Sequence, residues 1–544
     1  MKYNHISFVS LSFLVLIFLF PLPIWILGAS DWFVYLTWEK IFVFSLFVGI
    51  CLFCREKIRN HFVSTSICFL LFSLSFLWVL YEQKFNISIR FSLLFYLVEN
   101  FFQLREDAFF LMSQWKLGIY FVFLSSIPVF LLSLSEKRAT LLYASFALFL
   151  FFAYLASLQI PERKTISEAP FSESSETISG NYTFPAQKLS SETDVVIFFL
   201  EGVGSKDWNR NDSQEFHSNQ PVGEVRHFYI PVPHSSKSIF TGLTGMIQIG
   251  DTRPRLDLFP KEESLPKIFE KNGYRTMFLF SQPSVFENID EIAKQYFQTY
   301  TDQVKIQETF QNRFTEFSWG TDDLALLEIL DSSVISSSQP LFLWIGFSNT
   351  HSPYFVSETN PFLPKNKKDP YERFLSALRY DIHLVDKMMN RIVSERKRDV
   401  LFILTSDHGE SFGEDGFFGH NFSIYNSETK VPFLIRYTKN SKPFLLPAGN
   451  SADFKNSLLS LFQFPGVSID SKRNFFSEDY EMNLRLKSWN SDAYLGIIEG
   501  HKKWIYHSEK GTLYEMDLEE KDRKERISGR DKSEFLRKFH EGRD

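Results

Sequence analysis

Hydrophobic residues are concentrated in the first 160 positions of the chain. Five apolar segments there each approach the ~20 residues that a helix needs to cross a lipid bilayer. They cover approximately residues 6–28, 36–54, 62–81, 117–134 and 139–158. We therefore predict a five-span transmembrane domain over residues 1–160. The first segment is not interpreted as a signal peptide, because its apolar core is too long and more spans follow it.

Basic residues in the short connections predict how these spans are oriented. They fall on one side of the membrane, at Lys2, Arg55, Lys57, Arg59, Lys137 and Arg138. The positive-inside rule makes that side cytoplasmic, and five spans then place everything after residue 160 outside.

Two further segments precede the second half of the chain. Residues 84–116 alternate aromatic with charged residues, which is typical of amphipathic helices at the outer membrane surface. Such helices would line a path for a lipid head group, and a plain connecting loop with solvated charges is the alternative. Residues 161–193 are rich in Pro, Ser, Thr and Glu and are predicted to form a linker.

From residue 194 onward, short apolar runs alternate with segments of helical periodicity. Helices are predicted over Asp322–Leu330 and Tyr371–Val393. The predicted strands are Val195–Leu200, Thr276–Phe280, Leu341–Phe347, Val400–Leu404 and Val431–Ile435. This alternation predicts an α/β domain over residues 194–527, with a mostly parallel sheet flanked by helices. A charged tail is predicted at 528–544.

Composition narrows the classes of function. The formal net charge is -6 and no basic tract is present, so nucleic acid is not a predicted partner. All three cysteines, Cys51, Cys54 and Cys68, lie in the apolar part, so the second half forms no disulfide. Cys51 and Cys54 have no partner ligands in their hydrophobic span and are interpreted as packing residues.

Charged side chains directly follow two of the predicted strands. Glu201 follows Val195–Leu200, and Asp407 with His408 closely follows Val400–Leu404. Open α/β sheets carry their chemistry at the carboxyl ends of strands. Carboxylates together with an imidazole form a common ligand set for a divalent metal ion. Taken singly, an Asp-His pair in an ordinary loop and a strand-end acid that caps or is solvated are the alternatives.

A hydroxyl-rich turn at 233–238 leads into a predicted helix. A serine at such a helix start benefits from the free amide N–H groups and the positive end of the helix dipole, which both favour an anionic phosphate. The alternative is a serine that only caps the helix.

Together these residues carry a family resemblance. Within the alkaline phosphatase/sulfatase superfamily, the chain most resembles membrane-bound phosphoethanolamine and phosphoglycerol transferases, including lipoteichoic acid synthases, over roughly residues 194–520. Near the end of the chain, two segments are similar to the terminal strands of sulfatases, Lys503–Tyr506 and Thr512–Asp517. The motifs that carry the resemblance are Glu201, Ser235 with Ser238, Leu243-Thr-Gly245, Ser406-Asp-His-Gly-Glu-Ser411 and Gly419-His420.

The resemblance implies a role for each matched position. Glu201, Asp407 and His408 are implied to hold one divalent metal ion, with zinc or manganese expected. Ser235 falls on the nucleophile position, where it also ligates the metal. Counting back from Leu243-Thr-Gly245 favours Ser235, and Ser236 stays the competing choice.

Two departures separate the branches of the superfamily. Sulfatase maturation to formylglycine resembles a requirement for Pro or Ala two residues after the nucleophile and Arg four after, whereas this chain has Lys237 and Ile239. Sulfatases also tend to have paired acids at the first strand, whereas Glu201 lies between Leu200 and Gly202. Both departures favour the transferases.

Two other departures leave the transferred head group open. Enzymes that modify lipid A usually carry disulfides in the outer domain, and this chain has none to offer there. The segment Phe286–Asp290 resembles the region where phosphoglycerol transferases have Trp and Arg contacts, and it contains neither.

Further residues are implied at the substrate. His351 and His420 lie in loops suited to general acid/base catalysis or phosphate binding, and surface loop histidines are the alternative. Lys237 and Ser238 are expected to contact the substrate, although a solvated lysine is an equally good interpretation of Lys237. For His234, beside the nucleophile, a role at the substrate is left open in the same way.

The leading hypothesis is a metal-dependent transferase at the outer face of a bacterial inner membrane. It would move phosphoethanolamine or phosphoglycerol from a membrane phospholipid, through a covalent intermediate on Ser235, to a glycolipid or glycan acceptor of the cell envelope such as lipopolysaccharide. The second hypothesis is a membrane-anchored sulfatase-like hydrolase acting on a sulfuric ester or a phosphodiester. The third is a degenerate, non-enzymatic domain that serves as scaffold or sensor. The chain retains every expected type of metal ligand, which argues against this third hypothesis.

Overall fold

The computed structural model describes Val63 and residues 188–210, 223–250, 253–330, 332–439, 443–462, 464–489 and 493–541. The chain divides into two units, Met1–Ser167 and Glu168–Asp544, and the fold below is that of the second. Apart from Val63, the predicted transmembrane domain at 1–160 lies outside the described residues, as does most of the predicted linker at 161–193. None of the helices in the described ranges is long and apolar enough to cross a membrane.

Strands and helices alternate through most of the described chain. The strands are β1 (Asp194–Leu200), β2 (Gly223–Tyr229), β3 (Arg275–Phe280), β4 (Thr299–Thr301), β5 (Glu316–Phe317), β6 (Gly320–Thr321), β7 (Leu341–Gly346), β8 (Val400–Ser406), β9 (Ser411–Phe412), β10 (Phe418–Gly419), β11 (Lys430–Val431), β12 (Phe433–Tyr437), β13 (Phe444–Asn450), β14 (Asn483–Lys487), β15 (Tyr494–Glu499), β16 (Lys502–His507), β17 (Thr512–Asp517) and β18 (Lys524–Glu525). The α-helices are α1 (Ser205–Arg210), α2 (Ser235–Thr244), α3 (Leu265–Lys271), α4 (Ile289–Tyr296), α5 (Gln303–Phe310), α6 (Leu324–Ile329), α7 (Ser332–Ile335), α8 (Pro370–Glu395), α9 (Asn426–Thr429), α10 (Ser451–Ser460) and α11 (Gly529–Glu541). Short 3-10 helices lie at Leu256–Leu258, Lys261–Glu263, Phe286–Asn288, Glu414–Gly416 and Ser471–Arg473.

A nine-stranded mixed sheet forms the centre of the domain. Its order is β11-β2-β12-β8-β1-β7-β3-β4, and β13 also pairs with β2. Strands β8, β1, β7, β3 and β4 are parallel to one another, whereas β12 runs antiparallel to both β8 and β2. The predicted α/β class is confirmed, with a parallel centre and antiparallel pairing on one side.

The central strands are continuous apolar runs because both faces of the sheet are covered. All seven residues of β1 and all seven of β8 are buried. Such runs are typical of parallel strands with helices on both faces, since neither face meets solvent. Aromatic rings fill the layers beside them, with Phe199 against Trp344 at 4.8 Å between centroids.

One predicted strand differs from its expected form. Val431–Ile435 is divided between β11 and β12 at Pro432, because a proline has no N–H to donate to the ladder. Both pieces pair antiparallel with β2. The two predicted helices are present as α6 and α8. Helix α8 starts after Asp369, and the side chain of Asp369 caps it by accepting from the N–H groups of Tyr371 and Glu372.

A second, antiparallel sheet of five strands, β14 to β18, follows the main sheet. Helix α11 lies against it through Phe535 and Phe539, which cluster with Leu495, Ile497 and Leu513. The segment 528–544, predicted as a charged tail, therefore contains a packed helix. Its two phenylalanines are four residues apart and share one face, so the charges occupy the other.

Candidate active site

Two neighbouring strands bring the predicted acids together. Strands β1 and β8 are parallel, and Leu200 lies opposite Ser406 in their register. The N–H of Asp407 donates to the carbonyl of Leu200 at 3.1 Å, so Glu201 and Asp407 leave the sheet side by side. Parallel pairing alone therefore places both carboxylates at the same edge of the sheet.

The three residues predicted as metal ligands meet at one point. The Nε2 atom of His408 lies 3.4 Å from Oε1 of Glu201 and 3.3 Å from Oδ2 of Asp407. All three residues are buried. The arrangement that the sequence required, two carboxylates and one imidazole within reach of a single cation, is present.

Ser235 is the first residue of α2 and points into this group. Its Oγ lies 3.3 Å from Oε2 of Glu201 and 3.3 Å from Nε2 of His408. The Oγ of Ser236 points elsewhere and donates to Oε2 of Glu287 at 2.9 Å. Of the two competing serines, Ser235 is the one that faces the candidate ligands.

The hydrogen bonds of Glu201 and His408 leave one atom of each side chain available to a divalent cation. The Oε1 atom of Glu201 is buried and accepts no hydrogen bond from the described residues, while Oε2 accepts one from Gln282 at 2.7 Å. The Nδ1 of His408 lies 3.1 Å from the carbonyl oxygen of Gly409, so its N–H is on that side and Nε2 offers a lone pair. Burial and the neighbouring Asp407 raise the pKa of Glu201, and burial lowers the pKa of His408. A cation would compensate the buried negative charge, and this donor set suits zinc or manganese.

Asp407 is held by the backbone around it. Its Oδ1 accepts from the N–H of Gly202 at 2.9 Å and of His408 at 2.7 Å. Gly202 has φ 65, a left-handed conformation that favours glycine. A Cβ at Gly409 would lie 2.1 Å from the carbonyl oxygen of Ser427, so the turn after His408 also requires a glycine.

His420 joins the same group from a different loop. One nitrogen of its ring lies within 4.8 Å of the ligand atoms of Glu201 and His408, and its ring stacks on His408 at 4.2 Å. Its Nδ1 lies 2.7 Å from Oε2 of Glu410, whose Oε1 accepts from the hydroxyl of Tyr354 at 2.8 Å. Burial lowers the pKa of His420, but the Glu410 carboxylate outweighs burial and the pKa rises to about 9. The Glu410 carboxylate therefore favours the protonated form of the His420 ring.

His351 faces His420, with 5.6 Å between the ring centroids. Its other neighbour is Trp319, stacked at 4.4 Å. Burial, with His420 second, lowers the pKa of His351 to about 3, so the ring is neutral. Its Nδ1 lies 2.8 Å from the carbonyl oxygen of Ser352, which places the N–H there and leaves Nε2 as an acceptor.

Two of the four residues expected at the substrate have other contacts. Ser238 is buried and donates its hydroxyl to the carbonyl of Asp407 at 2.6 Å, and a role for it at the substrate stays a prediction. The one proton of the Ser238 hydroxyl makes this hydrogen bond, which joins α2 to the residue after β8. Lys237 is also buried, and its Nζ lies 3.4 Å from the carbonyl oxygen of Arg253, so a role at the substrate remains a prediction.

Several residues at the site were not singled out by the sequence. Gln282 orients Glu201, Glu410 orients His420, and Trp319 supports His351. Gln282 follows the run Thr276–Phe280 closely, so the strand-end signal that identified Glu201 was available for it too. Trp319 comes from the β5–β6 turn, where no periodic pattern identifies a residue.

A buried cluster lies on the other side of Ser235. Oε2 of Glu287 lies 2.9 Å from Nε2 of His234, whose ring stacks on Trp489 at 4.4 Å. Both nitrogens of His234 face groups of this cluster, since Nδ1 lies 3.2 Å from the Oγ of Ser236. These contacts support the loop before the nucleophile.

Comparison with known proteins identifies the domain. Residues 194–464 match the family model Sulfatase. No curated protein sequence matches the chain significantly. The fold is similar to that of the lipoteichoic acid synthase LtaP from Listeria monocytogenes, with TM-score 0.51 and 12% identity over 65% of this chain and 90% of that chain.

Two further solved structures are similar at lower TM-scores. One is a protein in the alkaline phosphatase superfamily from Vibrio parahaemolyticus, with TM-score 0.47 and 15% identity over 64% of this chain and 84% of that chain. The other is the integral membrane protein lipooligosaccharide phosphoethanolamine transferase A (EptA) from Neisseria meningitidis, with TM-score 0.49 and 12% identity over 80% of this chain and 90% of that chain.

Proposed function

Because residues 194–464 match the sulfatase family model, we propose that this protein is a metal-dependent phospho-head-group transferase. It would move phosphoethanolamine or phosphoglycerol from a membrane phospholipid to a glycolipid or glycan acceptor of the cell envelope. The observation that carries the proposal is the position of Ser235, whose Oγ lies 3.3 Å from both Glu201 and His408. A hydroxyl in that place is suited to attack phosphorus.

Glu201, Asp407 and His408 would hold the metal ion, with Ser235 as a further ligand. A divalent ion bound there lowers the pKa of a ligating hydroxyl and neutralises charge on a transferring phosphoryl group. The N-terminus of α2 adds amide N–H groups and a favourable dipole for an anionic phosphate.

The transfer would take place in two steps. In the first, Ser235 Oγ loses its proton and forms a bond to phosphorus, while the bond from phosphorus to the diacylglycerol oxygen breaks and that oxygen takes a proton. In the second, an acceptor oxygen attacks phosphorus, loses its proton, and Ser235 Oγ is released and protonated again. Protonated His420 is placed to supply protons, and neutral His351, with Nε2 as acceptor, is placed to remove them.

The choice of transfer over sulfate hydrolysis is supported by the residues after the nucleophile. Lys237 and Ile239 occupy positions that do not resemble the formylglycine motif, so an unmodified serine is the reacting group. The similarity to the fold of a lipoteichoic acid synthase is compatible with either reaction.

A matched serine pair tests the proposal. Purified full-length protein is incubated with phospholipid that carries a labelled head group, and the peptide containing residues 235 and 236 is analysed by mass. We expect the added head-group phosphate in wild type and in Ser236→Ala, and its absence in Ser235→Ala. Labelling of Ser235→Ala, or no labelling of wild type with any phospholipid while the metal is bound, would contradict the proposal.

A sulfatase-like hydrolase is the second candidate, favoured by the match of residues 194–464 to the sulfatase family. It predicts release of sulfate from an aryl ester, or hydrolysis of a phosphodiester, together with formylglycine at Ser235 in the sulfatase case. Unmodified serine in the same mass spectrum would exclude the formylglycine mechanism.

We also propose that the catalytic domain lies on the periplasmic or extracellular side of the bacterial inner membrane. The positions of the basic residues between the five apolar segments support this orientation. Protease added to spheroplasts should cleave residues 188–541 and not the loop near Arg55. Protection of the domain until the membrane is dissolved would oppose the orientation.

A further inference from the structure

A buried polar cluster lies behind the loop that carries His351. It joins three elements, the turn before α6, the end of β7 and the middle of α8, through Asp323, Asn349 and Asp381. Each of these three residues has 0% of its surface exposed. None of them is a candidate metal ligand or contacts one.

Asp323 is surrounded by donors. The N–H of Ser348 lies 3.1 Å from both carboxylate oxygens, and the N–H of Asn349 lies 2.8 Å from Oδ2. The hydroxyl of Ser281 also donates to Oδ1, while the hydroxyl of Ser348 lies 3.3 Å from Oδ1 and 3.2 Å from the carbonyl oxygen of Thr321. The N–H groups of Ser348 and Asn349 and the Ser281 hydroxyl favour the ionised form of the carboxyl group, so Asp323 is the carboxylate of the cluster.

Asp381 has the opposite surroundings. Its Oδ1 accepts from Nδ2 of Asn349 at 2.8 Å, whereas its buried Oδ2 meets no donor in the described part of the chain. Asp323 and Asp381 share Asn349, whose N–H donates to Oδ2 of Asp323 and whose Nδ2 donates to Oδ1 of Asp381, and the two carboxyl groups interact electrostatically. Two carboxyl groups that face each other away from water cannot both be ionised without a counter-charge.

Among the residues that the structure describes, no basic side chain bonds to the pair as a counter-charge. The titratable groups that face Asp381 are Asp323 and Asp322 from the turn before α6 and Tyr380 from its own helix. The remaining partners of Asp323 are hydroxyls and backbone amides. A proton is therefore the simplest way to neutralise the contact.

We propose that Asp381 is a neutral carboxylic acid at neutral pH, that it donates its Oδ2 proton to Asp323, and that this pair positions the loop 348–351 in the active site. Both aspartates are positioning residues, since they act through Ser348 and Asn349. The loop then delivers Thr350, whose hydroxyl donates to the carbonyl of Glu201 at 2.6 Å, and His351.

The electrostatics of the pair agree with this assignment. Burial raises the pKa of Asp381 well above its ordinary value, with Asp323 as the second cause. Burial raises the pKa of Asp323 only to about 6, opposed by its hydrogen bonds. Because the native state binds the extra proton, the stability it contributes is complete below the ordinary pKa of an aspartate and declines as pH rises through the raised pKa of Asp381.

Two substitutions at one position test the proposal in the full-length protein. Asp381→Asn keeps the shape and offers an N–H to Asp323 without a titrating proton, so we expect a wild-type unfolding midpoint at neutral pH and less loss of stability at alkaline pH. Asp381→Leu offers no donor, and we expect a clearly lower midpoint. Asp386→Asn, on the same helix and on its more exposed side, is the matched control and should leave both quantities unchanged.

An infrared measurement reads the proton directly. The wild-type minus Asp381→Asn difference spectrum at neutral pH should contain the carbonyl stretch of a protonated carboxylic acid, which the wild-type minus Asp386→Asn spectrum should lack. Absence of that band, or an Asn variant as unstable as the Leu variant, would overturn the proposal. Neither measurement uses a substrate, so their failure would leave the proposed transfer reaction unaffected.

Discussion

Gln282 and Glu201 are joined by a hydrogen bond of 2.7 Å between Nε2 and Oε2. The same Nε2 lies 2.9 Å from the carbonyl oxygen of Phe347, so the amide is fixed to the end of β7. One oxygen of Glu201 is thereby held, and the other is directed toward His408.

Replacement of Gln282 by Leu should weaken metal binding. Without the amide, the Glu201 carboxylate loses its orientation, and losses of this kind cost about 10- to 100-fold in metal affinity. Titration of the apo protein with zinc against a competing chelator measures the change. Gln339→Leu, in the exposed turn before β7, is the control and should bind as wild type does; equal affinity in the two variants would refute the role of Gln282.

Trp319 should matter for the reaction through His351. Trp319→Ala removes the ring on which the imidazole stacks, and a misplaced catalytic group costs up to about 100-fold in rate. We expect kcat for head-group transfer to fall by about 10-fold or more. Trp319→Phe retains an aromatic face and should lose less; an alanine variant with wild-type kcat would show that the stack is dispensable.

Arg396 should be essential for stability. Its guanidinium makes two bonds to the buried Asp194 carboxylate, at 2.6 and 2.8 Å. Arg396→Met leaves that charge unpaired, which costs about 3–5 kcal/mol of unfolding free energy. Arg391→Met breaks the more exposed pair with Glu395 and should cost below about 1 kcal/mol. Urea unfolding of both variants measures the difference, and similar losses would contradict the prediction.

Glu428 should make the stability depend on pH. Burial raises its pKa from 4.5 to about 7, although the Ser423 side chain and backbone N–H oppose this. The contribution to stability is complete below about pH 4.5 and is lost as pH rises through about 7, by on the order of 3 kcal/mol. Glu428→Gln should flatten the unfolding free energy over this interval, whereas the exposed Glu478→Gln should not. A wild-type slope in Glu428→Gln would assign the dependence to other acids.

The metal-ligand candidates were predictable because their signal is local. An apolar run that ends in Glu201 and another that ends near Asp407 are visible in the sequence, and parallel strands must end at one edge of a sheet. The sequence does not specify that β1 and β8 are neighbours, and it is this pairing, with Leu200 opposite Ser406, that brings the two carboxylates together.

The supporting residues were less predictable because their partners are distant in sequence. Gln282 reaches Glu201 across 81 positions, and Tyr354 reaches Glu410 across 56. The antiparallel direction of β12 is likewise set by how the chain returns from β8, and an apolar run does not specify direction. The helix α11 had a local signal, Phe535 and Phe539 at helical spacing, which the surrounding charges obscured.

Ser238 links helix α2 to the candidate metal ligand Asp407. Its hydroxyl joins the first turn of α2 to the carbonyl of Asp407, while Ser235, one turn earlier, faces His408. A shift of that helix would therefore drag the attacking oxygen and the acidic ligand in the same direction.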